Sequence, residues 1–136
     1  MSTNYRKTAT NPPGVATPLR PYYSNSVTVT PGPMLYISGQ VSWDEDGSVV
    51  GVGDATAQTR KVFENIETIL SAHGATFADI VKVTVYVTSF DFFDEVAAIR
   101  NAIFVQDPPA SAIVQVVRLV DPQLMIEIDA VAVLPE

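Results

Sequence analysis

Two carboxylates near the end of the chain stand where proton transfer could be done. The stretch Leu124-Met125-Ile126-Glu127-Ile128-Asp129-Ala130-Val131-Ala132-Val133 reads as one strand. With a side-chain period of two, Leu124, Ile126, Ile128, Ala130 and Ala132 share one face, and Met125, Glu127, Asp129, Val131 and Val133 share the other. An acid between Met125 and Val131 is costly unless it is paired, hydrogen-bonded or wet. Glu127 therefore reads in two ways. It is either an acid that accepts backbone N–H bonds, or a group that orients a water and takes its proton. Asp129 reads as structural or solvated.

Further polar groups could complete a site. Ser38 begins a Ser-Gly-Gln stretch at a strand end. Its hydroxyl could meet a ligand carbonyl or carboxylate, and Gly39 permits close backbone approach; a plain strand-ending turn fits as well. The chain has no cysteine, which removes disulfides, thiolate nucleophiles and zinc–thiolate sites. Its single histidine, His73, falls in the last turn of a helix, where the dipole favours it without any chemistry, so a Ser-His mechanism has little support.

The elements that must position these groups follow from the hydrophobic pattern. Residues 1–18 read as an N-terminal tail, because Pro12-Pro13-Gly14 and Pro18 forbid a helix, and residues 19–136 as a single domain. Ser26–Val29 and Met34–Val41 read as strands around a Pro31-Gly32-Pro33 turn, and Ser48–Val50 as a short third strand. Asp54 is a helix cap, with Val62, Phe63, Ile66, Ile69 and Leu70 as its apolar stripe and Gly74 as its stop. Ile80–Thr88 alternates as a strand with Val81, Val83, Val85 and Val87 on one side. A second helix is expected from Asp91, burying Phe92, Val96, Ile99 and Ile103, and Asp107-Pro108-Pro109 ends it. Ala112–Leu119 reads as a strand on which Arg118 could pair with Glu127 or Asp129, a structural ion pair being preferred.

Two helices cover only one face of a five- or six-stranded sheet, yet the central strands are apolar on both. Another subunit is expected on the uncovered face. Composition agrees, since 47% of residues are hydrophobic and only 17% charged. The net charge of −7, with scattered Lys and Arg, argues against nucleic-acid binding. Trp43 and Phe90-Asp91-Phe92-Phe93 then read as packing residues and not as a base-stacking platform. No apolar run is long enough to span a membrane, and the polar, proline-rich start has no leader-like core. A soluble, cytoplasmic protein is expected.

Several short pieces, in order, carry a family resemblance. They are Pro21-Tyr22-Tyr23-Ser24, Ile37-Ser38-Gly39-Gln40-Val41, Ala57-Gln58-Thr59 leading to Glu64-Asn65-Ile66, and Ala78-Asp79-Ile80-Val81-Lys82-Val83. Pro109-Ala110 and Ile126-Glu127-Ile128-Asp129-Ala130-Val131-Ala132 complete them. From about Pro18 to Val133 the chain resembles the Rid proteins, also called YjgF or L-PSP. That resemblance implies an α+β, chorismate-mutase-like fold with a mixed sheet and two helices on one face. It implies a homotrimer with small-metabolite sites in the clefts between subunits. The best-known members are deaminases that hydrolyse reactive imines and enamines to 2-oxo acids and ammonia, without cofactor or metal. Site positions of the family fall on Tyr22, Ser38 and Glu127.

The chain departs from the pattern where the deaminating members carry an arginine that forks onto the substrate carboxylate. Here that position is Ser111, which cannot copy a bidentate pairing. Ala97 stands where the family often has asparagine, and Arg20 where it usually has glycine. Arg20 or Arg100 is a candidate for a displaced cation. The resulting expectation is a hydrolase of an imine, enamine or related C–N bond, weak on amino-acid-derived imines, with Glu127 orienting water, Ser38, Gly39 and Ser111 holding the ligand, and Tyr22 walling the pocket. A non-catalytic trimeric ligand binder is the alternative, and an endoribonuclease ranks last.

Overall fold

A computed structural model of the chain describes residues 7–30 and 32–135. Its elements are β1 (Lys7–Thr10), β2 (Ser26–Val29), β3 (Met34–Gln40), α1 (Ala55–Ala72), β4 (Ile80–Val87), α2 (Phe93–Ile103), β5 (Ala110–Gln115) and β6 (Ile126–Val133). Strands β3, β6, β4 and β5 form one sheet in that order, and β1 pairs with β2 in a second, two-stranded sheet. β4 and β5 run parallel, with α2 as the crossover between them; the other pairs are antiparallel. The α+β class expected from the sequence is the one observed, but the strands are divided into sheets of four and two where one sheet of five or six was expected.

The third early strand is not where the pattern placed it. Ser48–Val50 contributes only a single bridge, Trp43 to Val49. The extra strand is β1, inside the expected tail, in register with β2 from Lys7–Val29 to Thr10–Ser26. Lys7 anchors it: the side chain is buried and its Nζ donates to the carbonyls of Ala78 at 2.9 Å and Ile80 at 3.0 Å. Pro31 of the expected turn lies outside the described residues.

Helix α1 starts where the Asp54 carboxylate accepts from the Ala57 N–H, and stops at Gly74, whose φ of +71° suits a residue without a Cβ. Its buried side is Val62, Phe63, Ile66 and Leu70, joined by Gln58 and Thr59. Ahead of α2 a 3-10 turn covers Phe90–Phe92, and its cap is Ser89, not Asp91: the Ser89 hydroxyl accepts from the Asp91 N–H at 3.0 Å. α2 buries Val96, as expected, together with Ala97 and Arg100, while Phe92, Ile99 and Ile103 pack half-buried against the core.

The core lies between the helices and one face of the larger sheet, built on Val83, Val85, Val87, Ile126, Ile128 and Ala130. A register shift between Ile80 and Lys82 puts Ile80 in that core in place of the expected Val81. The opposite face has no helix. Tyr36 is 75% exposed there and Val114 42%. Among the described residues, no helix is long and apolar enough to cross a membrane.

Candidate functional site

Glu127 is held by a break in the β3–β6 ladder. Ile37 pairs with Ala130 and Gln40 with Ile128, so Ser38 and Gly39 together stand against Asp129 in a bulge. Alternation along β6 turns Ile126, Ile128 and Ala130 into the core and leaves Glu127 and Asp129 on the helix-free face. The Glu127 carboxylate then lies over the Gly39 backbone. A Cβ built at Gly39 would overlap Glu127 Oε2 and sit 2.7 Å from its Cδ. Only glycine leaves that room.

The surroundings make this carboxyl a better base than a surface glutamate. Partial burial raises its pKa above the ordinary value, and the nearby Asp129 charge raises it further. Asp129 is held in turn by Tyr86, whose hydroxyl donates to Asp129 Oδ2 at 3.0 Å. That bond, with burial behind it, pushes the Tyr86 phenol up, so it stays a donor. Ser38 stands exposed beside Gly39 on the same sheet edge.

A second cluster forms on the helix side. Ser111 pairs with Val83 in the parallel β4–β5 ladder, so its hydroxyl points toward α2. Arg100 meets it there: Nη2 donates to Ser111 Oγ at 2.6 Å. The guanidinium carbon stands 4.3 Å from the Tyr22 ring centroid, a cation–π stack. Tyr22 is fixed because Ser24, two residues on, clips its segment to the start of β5. The Ser24 N–H donates to the Pro109 carbonyl at 3.0 Å and its hydroxyl to Pro108 at 2.7 Å. Arg20 lies over the Phe93 ring at 5.1 Å. Arg20, Tyr22, Phe93, Arg100, Ser111 and Ile113 line a cavity of about 430 Å³.

Arg100 is 1% exposed, and its Nε is buried without a hydrogen-bond partner. Among the described residues the single ion pair is Lys61–Glu64, so no described carboxylate answers Arg100. Burial pushes its pKa down to about 10, opposed by Tyr22, which leaves it charged at neutral pH.

The structure thus sorts the residues singled out in the sequence into two groups. Gly39 and Glu127, with Ser38, occupy the open face; Tyr22, Arg20, Arg100 and Ser111 occupy the helix-side cavity. Within one protomer the sheet separates them. Arg118 belongs to neither. β5 ends at Gln115, so the expected strand does not reach position 118, and the exposed Arg118 Nε donates to the Leu119 carbonyl at 3.3 Å. Its expected ion pair with Glu127 or Asp129 is not formed. Tyr86 was missed as a site residue because a tyrosine on an alternating strand looks like any packing residue.

Comparisons with known proteins bear on the fold and the family. The family model described as Endoribonuclease L-PSP matches residues 15–134. Protein DfrA of Myxococcus xanthus is 37% identical over 111 residues, 82% of this chain and 84% of DfrA. The crystal structure of YyfB from Yersinia pestis, a Rid-family protein of unknown function, superposes with a TM-score of 0.88 at 34% identity, covering 95% of this chain and 99% of that one. RidA from an Antarctic Psychrobacter superposes with a TM-score of 0.70 at 31% identity, covering 96% and 98%. The α+β architecture is accordingly the chorismate-mutase-like one these proteins share. The chain belongs to the Endoribonuclease L-PSP family, the Rid or YjgF proteins.

Proposed function

We propose that the protein hydrolyses an imine, enamine or related C–N bond in a small metabolite, working as a homotrimer without cofactor or metal. In that assembly the open face of one subunit, with Ser38, Gly39 and Glu127, closes against the Tyr22–Arg100–Ser111 cavity of its neighbour. The observation that carries the reading is the Glu127 carboxylate, laid across a glycine in a bulge and raised in pKa on the face that has no helix. A carboxylate held for packing would gain nothing from that placement.

The chemistry needs one positioned base. Glu127 accepts a proton from a water whose oxygen adds to the electrophilic carbon. The C=N pair moves onto nitrogen, which takes the proton back from Glu127. The carbinolamine then collapses: Glu127 takes the O–H proton and passes it to the nitrogen, C=O forms, and the C–N pair leaves with ammonia, returning Glu127 to its starting state. An enamine enters the same path once its β-carbon is protonated, for which a carboxyl of raised pKa is suited. The phenol-held Asp129 keeps negative charge close by and sustains the basicity of Glu127. A ribonuclease reading has less support, since the −7 chain gathers no basic groove and Arg100 is buried.

The test is ammonia release from freshly generated 2-iminobutanoate and from bulkier imino acids, with Glu127→Ala as control. Slow turnover of 2-iminobutanoate is expected, because the serine at position 111 offers one hydrogen bond where an arginine offers two. Turnover of every imine unchanged in Glu127→Ala would remove the proposal.

A further inference from the structure

A buried guanidinium without a counter-ion is an unfinished interaction. Taking such a charge out of water is costly, and proteins normally repay the cost with a carboxylate. Arg100 has none among the described residues. It donates instead to a neutral hydroxyl, stacks on Tyr22, and leaves Nε unsatisfied. The partly exposed Ser111 stands between Arg100 and the cavity, and no acid lines the cavity. A second guanidinium, Arg20, sits over Phe93 at the same opening.

We infer that this cavity takes a flat organic carboxylate, held by the Ser111 hydroxyl with Arg100 directly behind it. The division of labour follows from donors and acceptors. Ser111 Oγ accepts from Arg100, so its own O–H is left to donate outward. A donor polarised by a cation on its acceptor side binds an anion better than a bare serine does. One such contact is too little for a two- or three-carbon acid, which also loses the bidentate fork. A planar unsaturated or aromatic body adds what is missing, by lying against the Tyr22 and Phe93 rings and Ile113. Arg20, exposed at the mouth, draws anions in, an effect that fades as salt rises. Arg100 is a specificity-determining residue that acts through Ser111. The inference deepens the hydrolase reading and rests on it only for treating the bound acid as substrate.

Binding is therefore measured on the Glu127→Gln protein, in which turnover cannot obscure it, by NMR titration with benzoate, its neutral isostere benzamide, and acetate. Benzoate is expected to bind at least tenfold tighter than benzamide and acetate, shifting Tyr22, Ser111 and Ile113. Ser111→Ala and Arg100→Met should each bring benzoate down to the benzamide level, while Arg100→Lys keeps part of the preference. Ser111→Ala leaves the buried charge in place, so it decides the matter should Arg100→Met fail to fold. Equal binding of benzoate and benzamide, or a benzoate preference that survives Ser111→Ala, overturns the inference. Benzoate selectivity in a protein that releases no ammonia from any imine sinks the hydrolase reading and leaves this one standing.

Discussion

At the scale of single residues, stability and function pull apart. Gly39 meets only the far end of the Glu127 side chain, a flexible group that can swing away. Gly39→Ala should therefore cost under about 1 kcal/mol of stability, since the strain is released by a rotamer change. The same swing removes the base, and a fall in turnover of about 100-fold or more is expected, checked by pairing a denaturant melt with an ammonia assay. Glu127 itself is a local liability. Its folded-state pKa lies above the ordinary 4.5, so between those two values the folded protein holds the extra proton. Its contribution to stability falls as pH rises through that window, and the penalty is complete above it. Glu127→Gln should raise the Tm at pH 7, with the gain vanishing below pH 4.5. Arg100 carries the opposite sign of group. Its pKa is depressed to about 10, so between that and the ordinary arginine value the unfolded chain holds more protons. The charge penalty is present in full at neutral pH and eases only above about 10. Arg100→Met is thus expected to hold or raise the Tm at pH 7 while abolishing anion selectivity, the reverse of what removing a core strut does.

At the scale of elements, polar groups inside the core do much of the positioning. Gln58 on α1 is fully buried. Its Nε2 donates to the carbonyls of Gly51 at 3.1 Å and Gln123 at 2.8 Å, and its Oε1 accepts from the Met125 N–H at 2.8 Å. It therefore ties α1 to the segment that leads into β6 and Glu127. Gln58→Leu strands the Gln123 carbonyl and the Met125 N–H, while the Gly51 carbonyl keeps the Asp54 N–H, and should cost about 3 kcal/mol, read as a lower denaturant midpoint at unchanged slope. These ties explain which elements were legible in the sequence. The alternation of β4 and β6 and the stripe of α1 showed plainly, because apolar residues there repeat at the period of the element. β1 did not, because its first residue is a lysine whose burial depends on two carbonyls seventy residues away in sequence. In α2, Val96 and the half-buried Phe92, Ile99 and Ile103 were legible, but Arg100 was not, for a related reason. Val96, Ala97 and Arg100 do fall on one helix face, but a cation on that face looks solvent-directed until Ser111 and Tyr22 are brought to it. Of the site, Glu127, Ser38 and Gly39 were visible along two strands. Arg100 was visible only as a candidate, since its bond to Ser111 is a contact between α2 and β5 that no local pattern encodes.

At the scale of the whole molecule, the open sheet face decides whether two half-sites become one. A single protomer keeps Glu127 and the Arg100–Ser111 cavity on opposite sides of the same sheet, so no small ligand could touch both. The face itself argues for a partner, because Tyr36 is three-quarters exposed on a strand whose other side is core, with Met34 and Val114 also partly bare. With −7 charges per chain, association has to come from such apolar area and strengthens as salt screens the repulsion. We expect light scattering to report a trimer and the Tm to rise with protein concentration. Tyr36→Asp should shift the mass toward the monomer, lower the Tm by several degrees, and abolish turnover even though Tyr36 takes no part in the chemistry assigned to Glu127. Restoring assembly at high protein concentration should restore turnover in proportion to the trimer present. A Tyr36→Asp monomer that retained Glu127-dependent activity would show that one subunit suffices, and the half-sites would have to be joined by some route other than the face left bare here.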